Sequence, residues 1–139
     1  MALIAVGVVT TLVRRGSKEG SSMQDLSSTE QLKERFKQDS GKVRLIALVS
    51  AVCPEWRRGS ADMQNVLKEI PDNRLRAYIF WLPMFPGDSR SRAQTRSDEF
   101  LDDRLSYFWD GGRLTGEEWP RRRHCQNRLG CLLLIWFRR

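Results

Sequence analysis

A cysteine and a proline stand together near the middle of the chain, in the stretch Cys53-Pro54-Glu55-Trp56. An apolar, strand-like run precedes the cysteine, and a helical pattern begins at the proline. A cysteine at the start of a helix meets unpaired amide hydrogens and the positive end of the helix dipole, which favour the thiolate and lower the pKa of the thiol. Cys53 is therefore a candidate nucleophile for thiol-disulfide exchange.

The neighbours of Cys53 limit that chemistry. Arg57 and Arg58 follow one turn later and favour a thiolate, whereas Glu55 opposes it. Two-cysteine redox sites place a second cysteine three residues after the first, where it resolves the mixed disulfide. Trp56 occupies that position here, so an outside thiol such as glutathione would have to release Cys53. The alternative interpretation is that Cys53 is a small residue in a helix-capping turn, with no catalytic role.

Helical and strand patterns alternate on the N-terminal side of Cys53. Two overlapping capping boxes, Ser27 with Glu30 and Ser28 with Gln31, predict the start of a helix that ends near residue 41. Residues 43–50 then form a nearly continuous apolar run. Such a run is typical of a central strand that is covered on both faces.

The alternation continues after Cys53. Pro54 suits the first turn of a helix that runs to about residue 70. Residues 74–82 predict a second buried strand, with Ala77, Ile79 and Trp81 on one face and Tyr78, Phe80 and Leu82 on the other. A loop over 83–88, a polar helix to Leu101, a strand over 105–109, a turn at 110–112 and a helix capped by Thr115 follow. This order predicts an α/β domain with a largely parallel sheet.

Several short motifs stand in the order found in small bacterial thioredoxin-like proteins. They are Ser50-Ala51-Val52-Cys53-Pro54, Arg58-Gly59, Trp81-Leu82-Pro83-Met84, Gly87-Asp88 and Phe108-Trp109-Asp110. Residues 25–119 thus resemble the thioredoxin-like superfamily. The resemblance implies a single thioredoxin-like domain over residues 23–119, with a central, mostly parallel sheet flanked by helices.

The resemblance also implies a thiol-disulfide redox ancestry, with Cys53 as the attacking cysteine and Trp56 in place of the resolving one. No cofactor is expected, and the partner would be a protein or a low-molecular-weight thiol or disulfide. One family feature has no counterpart here. Pro83 and Pro86 come too early in the order of elements to be the proline that faces the active-site cysteine.

The net charge of +7 is concentrated at one end of the chain. Residues 1–119 carry 18 basic and 17 acidic side chains, whereas residues 120–139 carry six arginines and no acid. A nucleic-acid-binding domain spreads its basic residues over a folded face, so we expect no nucleic-acid partner. His124, Cys125 and Cys131 match no zinc-ligand spacing, so we expect no metal.

The N-terminal segment, residues 1–22, has an apolar run that is shorter than the roughly 20 residues of a membrane span. It lacks a basic region before the run and an obvious cleavage site, so we expect a disordered extension and no membrane contact. Three cysteines are too few for a secreted disulfide scaffold, which favours a cytoplasmic location. Export is the alternative if the apolar run acts as a signal.

The basic tail, residues 120–139, begins where the related proteins continue toward a strand containing Trp-Asp-Val-Tyr. One codon choice for Leu129-Gly130-Cys131-Leu132-Leu133 encodes that tetrapeptide when it is read one base further on. We therefore hypothesise that the tail is frame-shifted and replaces the final strand. A sheet edge would then be open to self-association, unless residues 132–137 pair there. The coding DNA tests this hypothesis.

Three functions are consistent with these patterns. The first is a thioredoxin-like protein limited to single-thiol chemistry at Cys53. The second is a non-catalytic thioredoxin-fold binding module that uses the aromatic residues Trp56, Trp81 and Phe85, although buried strands need such residues for their core. The third is a degraded gene product without activity.

Overall fold

The computed structural model describes residues 22–100, 102–118 and 132–137. For residues 117, 118 and 132–137 it describes the backbone only. Helices and strands alternate through these residues. The elements are β1 (Gln24–Asp25), α1 (Thr29–Gln38), β2 (Val43–Val49), α2 (Trp56–Glu69), β3 (Leu75–Trp81), α3 (Arg90–Asp98), β4 (Leu105–Trp109), α4 (Leu114–Glu118) and β5 (Leu132–Phe137). The predicted alternation is confirmed, and β1 is a strand that the sequence pattern did not indicate.

The strands form one sheet in the order β1-β4-β3-β2-β5. Strands β1, β4, β3 and β2 are all parallel, and β5 pairs antiparallel with β2. The chain is therefore an α/β domain built on a four-stranded parallel sheet, an arrangement that is not specific to thioredoxin topology. Residues 132–137 pair with β2, so this edge of the parallel sheet is covered rather than open to self-association.

Side chains of the central strands alternate between two cores, as predicted for β3. Ala77, Ile79 and Trp81 pack with residues of α2 and α3 on one face of the sheet. Tyr78 and Phe80 pack with residues of α1 on the other face. The sheet therefore lies between two helical layers, and β2, which leads to Cys53, is central to both cores.

Side-chain caps set the starts of the helices. In α1, Ser28 Oγ accepts from the Gln31 amide at 3.2 Å, and the Gln31 side chain accepts from the Ser27 amide at 3.0 Å. Ser28 is therefore the N-cap, and the return bond of the capping box reaches one residue further back. Ser89 caps α3, which ends at Asp98 and so is shorter than the predicted helix to Leu101.

The predicted cap of the last helix was wrong. Asp110, not Thr115, caps α4, because its carboxylate accepts from the amides of Leu114 and Thr115, both at 2.8 Å. The Thr115 hydroxyl donates to the same carboxylate at 2.5 Å. Asp110 directly follows β4, so a residue predicted only as part of a turn joins that strand to the helix.

A buried carboxylate lies at the end of the sheet opposite to Cys53. Asp39, at the C-terminal end of α1, accepts hydrogen bonds from Lys42 Nζ at 2.6 Å and from the Tyr78 hydroxyl. Burial raises the pKa of Asp39, but the hydrogen bonds from Lys42 and Tyr78 and nearby positive charges bring it below its ordinary value. Burial, followed by the bond to Asp39, raises the pKa of Tyr78.

The two ends of the chain lie mostly outside the described residues. The segments 1–21 and 119–131, which include His124, Cys125 and Cys131, are among the residues whose structure is not described. The expectations of a disordered N-terminal extension and a frame-shifted tail therefore stay predictions. Within the part of the chain that is described, no helix is long and apolar enough to cross a membrane.

Candidate cysteine site

The carboxyl ends of β2, β3 and β4 meet at one edge of the sheet, because the three strands are parallel. The Leu82 amide donates to Val49 O at 2.9 Å, and the Asp110 amide donates to Trp81 O at 2.8 Å. The segments that leave these strands therefore begin side by side. Cys53 lies in the first of them, and the motifs from which the resemblance was drawn lie largely along the same edge.

Cys53 ends a tight turn that begins at Ser50. The Cys53 amide donates to Ser50 O at 3.4 Å, and the Ser50 side chain is fully buried. Helix α2 begins at Trp56 rather than at Pro54, because residues 53–55 form tighter turns in which the Trp56 amide donates to Cys53 O at 3.2 Å. Pro54 precedes the helix, where its missing amide hydrogen still costs no hydrogen bond.

The environment of the Cys53 sulfur differs from the expected one. The amides of Arg57 and Arg58 donate to the carbonyl oxygens of Pro54 and Glu55, at 3.3 and 3.1 Å, so the first amides of α2 already have backbone partners. The sulfur instead lies 3.1 Å from Glu55 Oε2. Once Cys53 is reduced, a carboxylate at this distance favours the protonated thiol over the thiolate. The interpretation that unpaired helix amides activate Cys53 is therefore not supported by the local geometry.

The structure places Cys53 in a disulfide whose other half lies outside the described residues. The other two cysteines of the chain, Cys125 and Cys131, also lie outside them. A disulfide sulfur carries no proton, so its contact with Glu55 becomes a hydrogen bond only when Cys53 is a thiol. Cys53 is 5% exposed.

Trp56, at the position of the missing second cysteine, is a core residue. It is 3% exposed, and its ring packs edge to face on Trp81 with the ring centroids 4.9 Å apart. Trp81 is fully buried, and its indole Nε1 donates to Ser97 Oγ at 2.9 Å. The interpretation of Trp56, Trp81 and Phe85 as core residues is confirmed for the two tryptophans and wrong for Phe85. Phe85, by contrast, is 45% exposed.

Asp88 binds both the turn before Cys53 and the loop after β3. The Ser50 hydroxyl lies 2.9 Å from each of its carboxylate oxygens, and the Val52 amide donates to Oδ1 at 3.2 Å. The amides of Met84 and Phe85 donate to Oδ2 at 3.0 and 2.9 Å. One half-buried carboxylate therefore connects two segments that are more than thirty residues apart in sequence.

The loop over residues 83–88 is held on its other side as well. The Arg113 side chain donates to Pro83 O at 2.9 Å from Nε. Gly87 has φ +94°, and a Cβ built there would lie 3.7 Å from Val52 Cγ1. Residues beside Cys53, the 83–88 loop and the turn before α4 thus form one connected edge.

Sequence reasoning found Cys53, Glu55 and Trp56 but not the role of Asp88. In the sequence the Gly87-Asp88 pair is recognisable only as a motif, because the hydrogen bonds of Asp88 join residues that are distant in sequence. The sequence gives one signal for these hydrogen bonds. Ser50 is a polar residue at the end of an apolar run, and a polar side chain buried there needs a hydrogen-bond partner.

The described residues hold few other candidate sites. A shallow pocket between α2 and the segment before β4 is lined by Leu67, Lys68 and Glu99 among others, and it contains none of the predicted site residues. No group of three His, Cys, Asp or Glu side chains in the described ranges is placed to hold a metal ion.

Fold and site together define an α/β protein with a cysteine turn at the carboxyl edge of its parallel sheet. Comparison of the chain with protein-family models, with curated proteins and with solved structures found no match.

Proposed function

We propose that this chain is a thioredoxin-like protein that carries out single-thiol disulfide exchange at Cys53. The observation that carries the proposal is the place of Cys53, in the turn between strand β2 and helix α2, where Asp88 binds Ser50 and the Val52 amide. The order of the sequence motifs adds to this support. The four-stranded parallel sheet is compatible with the proposal but is shared with other α/β proteins.

The proposed exchange starts from reduced Cys53, so an outside thiol must first reduce the disulfide in which the structure places Cys53 and is itself oxidised to a disulfide. Two steps then follow. The Cys53 thiolate attacks one sulfur of a substrate disulfide, so a Cys53–substrate bond forms and the other substrate sulfur leaves as a thiolate. A second, outside thiolate then attacks the mixed disulfide and releases Cys53. The indole of Trp56 supplies no sulfur for this second step, and an outside low-molecular-weight thiol or protein thiol takes its place.

A direct experiment uses the full chain with Cys125→Ser and Cys131→Ser, which we name the single-cysteine background. We expect incubation of this reduced protein with oxidised glutathione to add one glutathione per chain, measured by mass spectrometry. Reduced glutathione should then reverse the addition. The further change Cys53→Ser should abolish it. No addition to the folded single-cysteine protein would refute the proposal and leave the non-catalytic binding module as the better candidate.

A second experiment tests the redox ancestry. The change Trp56→Cys, made in the single-cysteine background, restores a cysteine three residues after Cys53. We expect it to give disulfide-reductase activity toward insulin in the presence of dithiothreitol. Because Trp56 is buried, the matched control is Trp56→Ala, which leaves a similar cavity without a thiol. Equal activities of the two folded variants would count against the ancestry.

The binding-module alternative has a smaller surface than the sequence suggested. Of its three aromatic residues, Trp56 and Trp81 are buried and only Phe85 is substantially exposed. A binding surface would therefore have to centre on the 83–88 loop.

A further inference from the structure

We propose that Asp88 is the positioning residue of the Cys53 site, which holds the Cys53 sulfur against Glu55. This inference rests on the proposed function, because it concerns the reactivity of the same cysteine. It assigns a role to the Gly-Asp pair of the 83–88 loop, which the exchange steps themselves do not use.

The first argument is the distribution of the hydrogen bonds that Asp88 accepts. A carboxylate that only shaped its own loop would need the amides of Met84 and Phe85. Asp88 also accepts from Ser50 Oγ and from the Val52 amide, which belong to a different segment. These additional bonds join the loop to the turn that carries the cysteine.

The second argument is the closeness of these bonds to Cys53. The Val52 amide belongs to the peptide unit between Ala51 and Val52, so its bond to Asp88 fixes the peptide plane that directly precedes the Val52–Cys53 unit. Ser50 supplies the carbonyl that accepts from the Cys53 amide at 3.4 Å. Asp88 therefore restrains the turn at its first residue and at the residue next to the cysteine.

The third argument is the consequence for the sulfur. The contact of the Cys53 sulfur with Glu55 Oε2, at 3.1 Å, depends on how the turn meets the start of α2. Cys53 ends the turn that Asp88 binds and Glu55 lies at the start of α2, so a shift of the turn relative to the helix changes this contact. Asp88 thus sets how strongly Glu55 favours the protonated thiol.

The experiment is a double-mutant cycle on Cys53 reactivity in the single-cysteine background. The alkylation rate with iodoacetamide at pH 7 is measured with and without Glu55→Gln. We expect Glu55→Gln to raise the rate about tenfold, because it removes a negative charge beside the developing thiolate. When Asp88→Asn is also present, the same change should raise the rate less than about threefold, since the contact is already loosened. Because each comparison is made within one background, general changes in accessibility cancel.

The matched control is Asp110→Asn. Asp110 is also a carboxylate that accepts backbone amides at the same edge of the sheet, but its bonds go to α4. In that variant the effect of Glu55→Gln should stay about tenfold. If Asp88→Asn does not fold, Ser50→Ala replaces it. This change removes the contacts of the Ser50 hydroxyl with Asp88 and with the Val52 amide but keeps the bond from the Val52 amide to Asp88, so a partial fall in the ratio is then expected.

Three results would overturn the inference. The first is a rate increase by Glu55→Gln that stays near tenfold when Asp88→Asn is present. The second is an equal fall of that increase with Asp110→Asn, which would mean that any lost carboxylate loosens the edge of the sheet. The third is a ratio near one in the single-cysteine background itself, because there would then be no contact to position. Alkylation needs no disulfide substrate, so failure of this inference is distinguishable from failure of glutathione exchange, which tests the proposed function.

Discussion

The rings of Trp56 and Trp81 pack edge to face, with their centroids 4.9 Å apart and their planes at 70°. This pair fills the space between the start of α2 and strand β3. Trp56, which stands where two-cysteine redox sites have their second cysteine, is therefore a packed residue of the core. We therefore expect Trp56 to contribute to the stability of the fold.

We expect Trp56→Ala to lower the free energy of unfolding by about 3–5 kcal/mol, because it removes a large buried ring and leaves a cavity. Urea unfolding followed by circular dichroism measures the loss. The control Trp56→Phe, which keeps an aromatic ring against Trp81, should lose clearly less. A variant with alanine that unfolds at the same urea concentration as the parent would contradict the structure.

The carboxylate of Asp110 should be an important helix cap. We expect Asp110→Ala to lower the free energy of unfolding by about 2 kcal/mol, the upper end for the loss of an N-cap, because three donors lose their acceptor in a buried place. Asp103 is exposed and serves as the control, with an expected change within about 0.5 kcal/mol for Asp103→Ala. Equal effects of the two changes in a denaturant titration would refute the assigned cap.

Two glycines have a left-handed backbone, Gly41 at φ +79° and Gly87 at φ +94°. We expect alanine at either position to cost about 1–2 kcal/mol of unfolding free energy, through backbone strain alone. Space is not the cause, since a Cβ at Gly41 has no neighbour within 4 Å and one at Gly87 is in ordinary contact with Val52. Thermal unfolding of the two variants is the measurement, and a variant as stable as the parent would show that its φ is not required.

Acid should destabilise the protein partly through Asp39. Since the pKa of Asp39 is lower in the folded chain, the folded form binds fewer protons, and this stabilisation is present above the unfolded pKa of about 4. It is lost as the pH falls through the folded pKa. The difference in unfolding free energy between the parent and Asp39→Asn should therefore shrink from about pH 5 toward pH 2. A difference that stays constant over that range would contradict the role given to Asp39.

Alkali should act through two buried tyrosines. Burial raises the pKa of both Tyr78 and Tyr107. The nearby carboxylate of Asp39 raises the pKa of Tyr78 further, and that of Asp102 raises the pKa of Tyr107 further. A raised folded pKa gives stability that is complete below the unfolded value of about 10 and is lost as the pH rises above it. Tyr78→Phe and Tyr107→Phe should therefore each flatten the fall in unfolding free energy above about pH 10. Tyrosinate absorbance that appears in the folded parent at the ordinary pH would disprove this.

The sequence by itself determined the local structure well. The apolar runs located β2 and β3, the capping box located α1, and the alternation of elements indicated an α/β class with a largely parallel sheet. These features depend on residues that are close together in the chain, through burial patterns and through hydrogen bonds that span three or four residues. Cys53 was recognisable for the same reason, from its place between a strand and a helix.

Only the tertiary structure decided how the site is held. The bonds of Asp88 to Ser50 and Val52, the packing of Trp56 on Trp81 and the pairing of β5 with β2 all join residues that are distant in sequence. The expectation of an amide-activated thiolate finds no support in the local geometry, because the turn before α2 already uses those amides and Glu55 lies beside the sulfur. Local patterns specify each segment, but the electrostatic environment of a side chain depends on which segments meet there.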